Sequence, residues 1–99
     1  KRFNEMIQKE KDIIILDVRT PMEYREGHIN NAINIPVQIL EHQLDKLSNF
    51  KNKKILVYCR SGSRSVVASQ ILKRSGFKNV YNLKGGIIEW KREGLQLVK

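Results

Sequence analysis

The segment Ile55–Ser69, ILVYCRSGSRSVVAS, contains the only cysteine of the 99-residue chain. The apolar run from Ile55 to Tyr58 predicts a buried strand. Cys59 follows it and opens a short loop of serines, arginines and one glycine. Helical spacing then begins near Val66 and predicts a helix closed by Gly76. A strand that leads through a loop into a helix is the repeating unit of α/β proteins, so this segment indicates the fold class.

The rest of the chain continues the same alternation. Thr20, Pro21 and Glu23 form a helix start with a capping box, and Gly27 ends that helix. The other predicted elements are a helix over 1–11, a strand over 13–18, a strand over 32–35, a helix over 37–47, a strand over 80–83, a helix over 87–91 and an extended tail over 95–98. Strands separated by helical crossovers predict an α/β single domain, an open, mostly parallel β-sheet with helices on both faces.

Composition narrows the class of protein. The chain is 40% hydrophobic and 29% charged, as in ordinary globular proteins, and no apolar run approaches the ~20 residues of a membrane span. One cysteine excludes an internal disulfide, and His28 and His42 alone do not suggest a zinc site. We therefore expect a cytoplasmic protein that needs no metal, no cofactor and no membrane.

The net charge of +9 comes from 19 basic and 10 acidic residues. The chain has no block of five like charges and no alternation of aromatic and basic residues, so we expect no nucleic-acid partner. A solvated lysine-rich surface is favoured over a dedicated polyanion site. The positive field would still favour the approach of anionic substrates or acidic protein partners.

The position of Cys59 predicts a reactive thiol. In open parallel sheets, sites form beyond the carboxyl ends of the strands, and Cys59 follows such an end. The loop after it leads into a helix start, where backbone N–H groups are unpaired, and Gly62 lets these groups converge on an anion. Such a setting lowers the pKa of a thiol. The alternative is that Cys59 is a small buried hydrophobe, which would have no use for the serines and arginines around it.

The predicted site therefore has one nucleophile, Cys59, and a substrate-binding loop. The loop residues are Arg60, Ser61, Gly62, Ser63 and Arg64. Hydroxyls of the loop serines, with that of Ser65, would add hydrogen-bond donors, and the two arginines would add fixed positive charge.

Three stretches together resemble the single-domain rhodaneses, a family of sulfurtransferases. They are the loop CRSGSRS at 59–65, DVRTPMEYREGHINNAINIP at 17–36 and LKGGIIEW at 83–90. Two positions depart from the family pattern. Asn31 stands where glycine is usual, and asparagine tolerates a positive φ better than most residues. Gln96 stands where proline is common, away from the site.

The resemblance implies that residues 1–99 form one rhodanese domain, a thiosulfate sulfurtransferase. Cys59 would attack the outer sulfur of thiosulfate or another sulfane donor and carry it as a persulfide. The acceptor would be cyanide, a small thiol or a protein. N–H groups of the loop would stabilise the persulfide, and Arg60 and Arg64 would bind the sulfonate of thiosulfate.

Three other functions remain open at this point. A cysteine-dependent phosphatase or arsenate-reductase-like enzyme also places a cysteine loop at a helix start, but that class spaces its cysteine and arginine one residue further apart. One residue rotates a helical side chain by ~100°. A non-catalytic interaction module typically lacks the cysteine. A dedicated sulfur carrier to tRNA, molybdopterin or thiamine assembly would share the chemistry and differ only in its acceptor.

The remaining landmark residues are interpreted as structural. Arg19 is expected to pair with Asp17 or Glu23, and His28 to bond the backbone in a turn. Trp90 is expected in the core.

Overall fold

The computed structural model describes residues 12–99, and the predicted helix over 1–11 lies outside them. Four strands form one all-parallel sheet in the order β2-β1-β3-β4. The strands are β1 Ile14–Asp17, β2 Ile33–Asn34, β3 Lys54–Tyr58 and β4 Asn79–Asn82. The α-helices are α1 Pro21–Glu26, α2 Ser63–Arg74 and α3 Gly86–Arg92. The predicted parallel α/β sheet is confirmed, and the strand predicted over 80–83 begins and ends one residue earlier.

The sheet has a hydrophobic core on each face, because side chains of a strand alternate between its two sides. Val57 and Cys59 contribute to a cluster with Ala68 and other residues of α2. Leu56 and Tyr58 contribute to a second cluster that includes Trp90 of α3. The prediction of helices on both faces is confirmed, and so is the core position of Trp90, which is 7% exposed.

The predicted helix over 37–47 is wrong in type. Two 3₁₀-helices, Val37–His42 and Leu44–Phe50, occupy this region. Gln43 separates them with φ −122° and ψ 13°, and its N–H donates to the carbonyl of Leu40, three residues back. Leu40 and Leu47 are both buried. Apolar residues three and four apart fit either helix type, so their spacing does not distinguish an α-helix from short 3₁₀ turns.

The turns around α1 follow the predicted pattern. Thr20 caps the helix, its hydroxyl and the Glu23 carboxylate complete the capping box, and Gly27 closes the helix. Asn31 adopts φ 70°, the positive value that its asparagine side chain was expected to tolerate. Near the C-terminus, Val98 forms an isolated antiparallel bridge with His28.

Asp17 and Cys59 lie at the carboxyl ends of two neighbouring strands. Asp17 ends β1 and pairs in register with Tyr58, the last residue of β3, so Cys59 follows directly beside it. Within residues 12–99, no helix is long and apolar enough to cross a membrane.

Candidate active site

The sulfur of Cys59 is the acceptor at the centre of the loop. Cys59 is fully buried. Its Sγ accepts hydrogen bonds from the backbone N–H of Gly62 at 3.0 Å and of Ser65 at 3.3 Å. The Ser65 hydroxyl lies 3.5 Å from Sγ. The loop therefore directs backbone N–H groups at the sulfur, and the predicted convergence of these groups is present.

The start of α2 explains this geometry. Gly62 is the N-cap residue with φ 112°, a left-handed conformation that favours glycine, and it has no side chain to cap the helix. Ser65 is the third residue of α2, and its N–H is one that an N-cap side chain normally satisfies. Sγ of Cys59 supplies the missing acceptor. The helix start and the thiol thus satisfy one another.

The pKa of the Cys59 thiol reflects two opposing influences. Burial alone would raise it, because a thiolate loses hydration inside the protein. Hydrogen bonds from the Ser65 hydroxyl and from the backbone of Ser65, Gly62 and Ser61 favour the thiolate and lower the pKa overall. The net direction is downward, which is the direction that a nucleophilic cysteine requires.

The N-terminus of α3 fixes the other side of the loop. Ile87 N–H donates to the carbonyl of Cys59 at 2.9 Å, and Ile88 N–H donates to that of Arg60 at 3.1 Å. Gly86 makes this approach possible, because a Cβ at that position would lie 2.6 Å from the Cys59 carbonyl oxygen. The loop carbonyls therefore point to α3 while its N–H groups point to the sulfur.

Arg64 bonds a carboxylate rather than lying free in the loop. Its guanidinium donates to both Glu23 oxygens, at 2.9 and 3.1 Å, and so links α2 to α1. These hydrogen bonds are the main reason that the pKa of Glu23 falls to about 2, with further help from Thr20. Arg64 still interacts electrostatically with Cys59.

The other predicted loop residues are exposed. Arg60 borders a cleft of about 290 Å³, together with Glu26 of α1 and Ile88 and Lys91 of α3. Ser61 and Ser63 present their side chains to solvent. The structure thus brings backbone N–H groups of Ser61 and Gly62 to the Cys59 sulfur. It places Arg60 at a cleft whose lining residues do not include Cys59. Over residues 12–99, no group of three or more His, Cys, Asp or Glu side chains is arranged to hold a metal ion.

A buried ion pair lies next to the loop. Asp17 is fully buried, and Arg19, 5% exposed, donates to it from Nη2 at 2.7 Å. The Tyr58 hydroxyl also donates to Asp17, at 2.7 Å. Burial, followed by the Asp17 charge, raises the pKa of Tyr58. The predicted pairing of Arg19 with Asp17 is confirmed.

Three site residues were missing from the predicted set. Ser65 is predicted only as an additional hydrogen-bond donor, although it is the third helical residue after Gly62. Asn82, which hydrogen-bonds the Ser65 hydroxyl, ends the strand that adjoins β3. Glu23 is predicted as part of the α1 capping box, and its second role as the partner of Arg64 has no local sequence signal. His28, as predicted, bonds the backbone, its Nδ1 donating to the Tyr24 carbonyl at 2.8 Å.

The chain is similar to proteins of known family. Residues 1–93 match the family model for the Rhodanese-like domain. A solved structure of a rhodanese-related protein from Thermoplasma volcanium superimposes with a TM-score of 0.85 at 36% identity, covering 96% of this chain and 92% of that one.

Two curated relatives carry different names. A protein of Allochromatium vinosum named sulfurtransferase is 35% identical over 97% of this chain and 88% of its own length. A protein of Buchnera aphidicola named tRNA uridine(34) hydroxylase is 41% identical over 94% of this chain, which spans only 31% of that protein. Both names denote enzymes, and the family model covers nearly the whole sequence. The chain therefore belongs to the rhodanese-like domain family.

Proposed function

We propose that this protein is a sulfurtransferase that carries sulfur as a persulfide on Cys59. The donor is thiosulfate or a related persulfide or polysulfide, and the acceptor is cyanide or a thiol. The observation that carries the proposal is the pair of N–H groups, from Gly62 and Ser65, that bond Sγ of Cys59. Family membership and the relative named sulfurtransferase support the same chemistry.

The reaction needs no group outside the protein and its two substrates. The Cys59 thiolate attacks the outer sulfur of thiosulfate, a new S–S bond forms, and sulfite leaves with the electron pair of the broken bond. Cyanide then attacks the outer sulfur of the persulfide, thiocyanate forms, and Cys59 leaves as a thiolate again. Each half is a covalent displacement, so ping-pong kinetics are expected.

Residues of the loop take separate roles in this scheme. The N–H groups of Gly62 and Ser65 stabilise negative charge on sulfur, as oxyanion-hole donors do for oxygen. Arg60, exposed beside the cleft, attracts the sulfonate of thiosulfate, and the Ser61 and Ser63 hydroxyls lie on the same exposed loop. Arg64 holds the start of α2 against α1 through Glu23 and adds positive charge near the sulfur. We further propose that residues 1–99 act as one domain in this reaction.

The test is the mass of the protein before and after each substrate. Thiosulfate should add the mass of one sulfur atom, and cyanide should then remove it as thiocyanate. C59S should show neither change while keeping its fold by circular dichroism. A wild-type protein that gains no sulfur from thiosulfate or from a polysulfide would contradict the proposal.

A second candidate is a domain of a longer tRNA-modifying protein. The 41% identity to the relative named tRNA uridine(34) hydroxylase exceeds the 35% identity to the relative named sulfurtransferase. Analysis of the nucleoside at tRNA position 34, in cells with and without the gene, tests this candidate. Loss of a hydroxylated uridine in the deletion strain, without sulfur loading of the purified domain, would favour it over sulfur transfer.

The structure offers little support for phosphatase chemistry. Four residues separate Cys59 from Arg64, and the Arg64 guanidinium is bonded to Glu23 instead of lying across the loop. We expect no meaningful hydrolysis of p-nitrophenyl phosphate in a preparation that transfers sulfur. Rapid hydrolysis by a protein that ignores thiosulfate would instead favour the phosphatase class.

A further inference from the structure

The Ser65 hydroxyl sits among three hydrogen-bonding groups. Its Oγ lies 3.5 Å from Sγ of Cys59 and 3.0 Å from the carbonyl oxygen of Gly62, and it hydrogen-bonds Oδ1 of Asn82. Ser65 is fully buried, so these neighbours decide where its proton points. Asn82 reaches it from β4, where it lies two residues after Val80, on the face of the sheet that α2 covers.

Counting protons shows that this arrangement must change with the state of the thiol. A serine hydroxyl has one proton to donate and lone pairs to accept. If Cys59 is a thiolate and Asn82 presents oxygen, three acceptors compete for that single proton. An asparagine amide can turn over and present its NH₂ group instead. Asn82 Nδ2 then donates to Ser65 Oγ. Two acceptors remain for the Ser65 proton, the Gly62 carbonyl oxygen and the charged sulfur, and a charged acceptor forms the stronger hydrogen bond.

We propose that Asn82 is a positioning residue for the sulfur chemistry, acting through the Ser65 hydroxyl on Sγ of Cys59. In the thiol form, the S–H donates to Ser65 Oγ and the Ser65 proton goes to Asn82 Oδ1. In the thiolate form, Asn82 Nδ2 donates to Ser65 Oγ and the Ser65 proton goes to the sulfur. The inference rests on the proposed function, because it concerns the same sulfur.

Asparagine suits this role because it offers both a donor and an acceptor. An aspartate at position 82 would only accept, so it would hold the Ser65 proton away from the sulfur and favour the thiol form. An alanine would do neither. In the thiol form the Gly62 carbonyl oxygen, 3.0 Å away, can replace Asn82 Oδ1 as the acceptor of the Ser65 proton. In the thiolate form the hydrogen bond from Asn82 Nδ2 is lost, so N82A destabilises the thiolate more than the thiol and raises the pKa of Cys59. N82D is therefore expected to raise the pKa of Cys59 more than N82A does.

The experiment measures the rate of alkylation of Cys59 by iodoacetamide as a function of pH. Cys59 is the only thiol of the chain, so the label reports one site. Removing one hydrogen bond should reduce the rate at neutral pH about threefold in N82A, by raising the apparent pKa of the thiol. N82D, which keeps the side-chain size, should show a larger rise.

A double-mutant cycle separates positioning through Ser65 from any direct effect. S65A should raise the apparent pKa by itself, and N82A should add nothing further in the S65A background. Either of two results would overturn the proposal. One is that N82A raises the apparent pKa of Cys59 as much in the S65A background as in the wild type. The other is that neither N82A nor N82D changes this pKa.

The matched control is N79A. Asn79 begins the same strand, and its side chain bonds the backbone of Asn52 at 3.3 Å, far along the strand from the loop. Its substitution should leave the pH profile of alkylation unchanged. N82A, S65A, S65A/N82A and N79A all keep the charged side chains of the surrounding elements. These are Asp17, Arg19, Glu23, Arg60, Arg64 and Glu89.

Alkylation requires no sulfur donor, so this test and that of the proposed function fail separately. Wild-type protein that gains no sulfur from thiosulfate would contradict sulfur transfer and leave the alkylation cycle as an independent test of Asn82. Variants with unchanged alkylation would contradict the role of Asn82 even where the wild type loads sulfur normally.

Discussion

Two acidic side chains, Asp17 and Cys59, lie at the carboxyl ends of neighbouring strands, and their acidic atoms accept hydrogen bonds from different kinds of donor. The Asp17 carboxylate, at the end of β1, accepts from the Arg19 guanidinium and the Tyr58 hydroxyl. The Cys59 sulfur, just after β3, accepts from backbone N–H groups of Gly62 and Ser65. Tyr58 and Cys59 are consecutive, so their side chains point to opposite faces of the sheet.

The difference matches a structural role for Asp17 and the chemical role that we propose for Cys59. A full opposite charge neutralises Asp17 and fixes its geometry, so this pair organises the fold. Backbone dipoles favour negative charge on Cys59 without pairing it to a side-chain cation, while Arg64 acts on it through space and is itself bonded to Glu23. Only the second arrangement leaves the acceptor without an ion-pair partner, as the proposed attack of Cys59 on a sulfur donor requires. Substitution of Asp17 should therefore lower the free energy of unfolding, whereas changes around Cys59 should alter the reactivity of its thiol.

The largest effect on stability is expected from D17N. This substitution leaves Arg19 charged and buried without its ion-pair partner, and such changes typically cost about 3–5 kcal/mol of unfolding free energy. Urea denaturation measures the loss. D45N removes an exposed carboxylate and should change stability by less than about 0.5 kcal/mol. A loss below 1 kcal/mol in D17N would mean that the ion pair does not organise the fold.

The next effect concerns the contact between α3 and the loop. In G86A, the new Cβ would meet the Cys59 carbonyl oxygen at 2.6 Å, in addition to the strain of φ 61°. We expect a loss of about 2 kcal/mol or more and a clear fall in the alkylation rate of Cys59, because the loop must move.

G94A is its matched control. Gly94 also has a positive φ, of 79°, but a Cβ there would meet nothing within 4 Å. It should show strain of about 1 kcal/mol and unchanged Cys59 reactivity. Equal alkylation rates in G86A and the wild type would contradict the role of α3 in holding the loop.

A smaller effect is expected from E23Q, which breaks the ion pair between α1 and α2. The pKa of Glu23 is lowered from 4.5 to about 2 in the folded protein, so its charge stabilises the fold. That contribution is full above pH 4.5 and is lost as the pH falls to about 2. Because the pair is partly solvated, we expect about 1 kcal/mol at neutral pH.

Urea denaturation at several pH values measures this difference. The gap between E23Q and the wild type should shrink steadily below pH 4.5 and close near pH 2. E26Q removes an exposed carboxylate of the same helix and is the control for the loss of one negative charge. A constant gap across this range would rule out the Glu23 charge as its cause.

The smallest effect is expected at Arg60, which is exposed beside the cleft. R60A should lower the second-order rate constant with thiosulfate about threefold, equivalent to about 0.6 kcal/mol. Added salt should reduce the wild-type rate as well, because it screens the attraction. K53A removes an exposed lysine and should have a smaller effect. A rate constant that changes neither with salt nor in R60A would mean that the positive charge does not attract thiosulfate and only solvates the protein surface.

Much of this site could be predicted from the sequence because its residues are close together along the chain. Cys59, Gly62 and the start of α2 follow one another within a few residues, so strand, turn and helix rules place the thiol among N–H groups. The parallel sheet also followed from local patterns, since apolar runs alternate with helical ones. The ion pair of Asp17 with Arg19 joins residues two apart.

Contacts between distant segments were not predictable in this way. Glu23 meets Arg64 across 41 residues, and Asn82 meets Ser65 across 17, so both depend on how the elements pack. The 3₁₀-helices were missed for a different reason. Their apolar spacing is shared with an α-helix, and the break at Gln43 appears in its backbone angles rather than in its residue type.

The most direct test of the account is the pKa of Cys59 in the native protein compared with the same thiol in urea-unfolded protein. The pH dependence of iodoacetamide alkylation gives both values from one cysteine. If the loop N–H groups outweigh burial, the native pKa will be the lower of the two. A native pKa equal to or above the unfolded value would show that burial dominates and would contradict the assignment of Cys59 as the sulfur-carrying nucleophile.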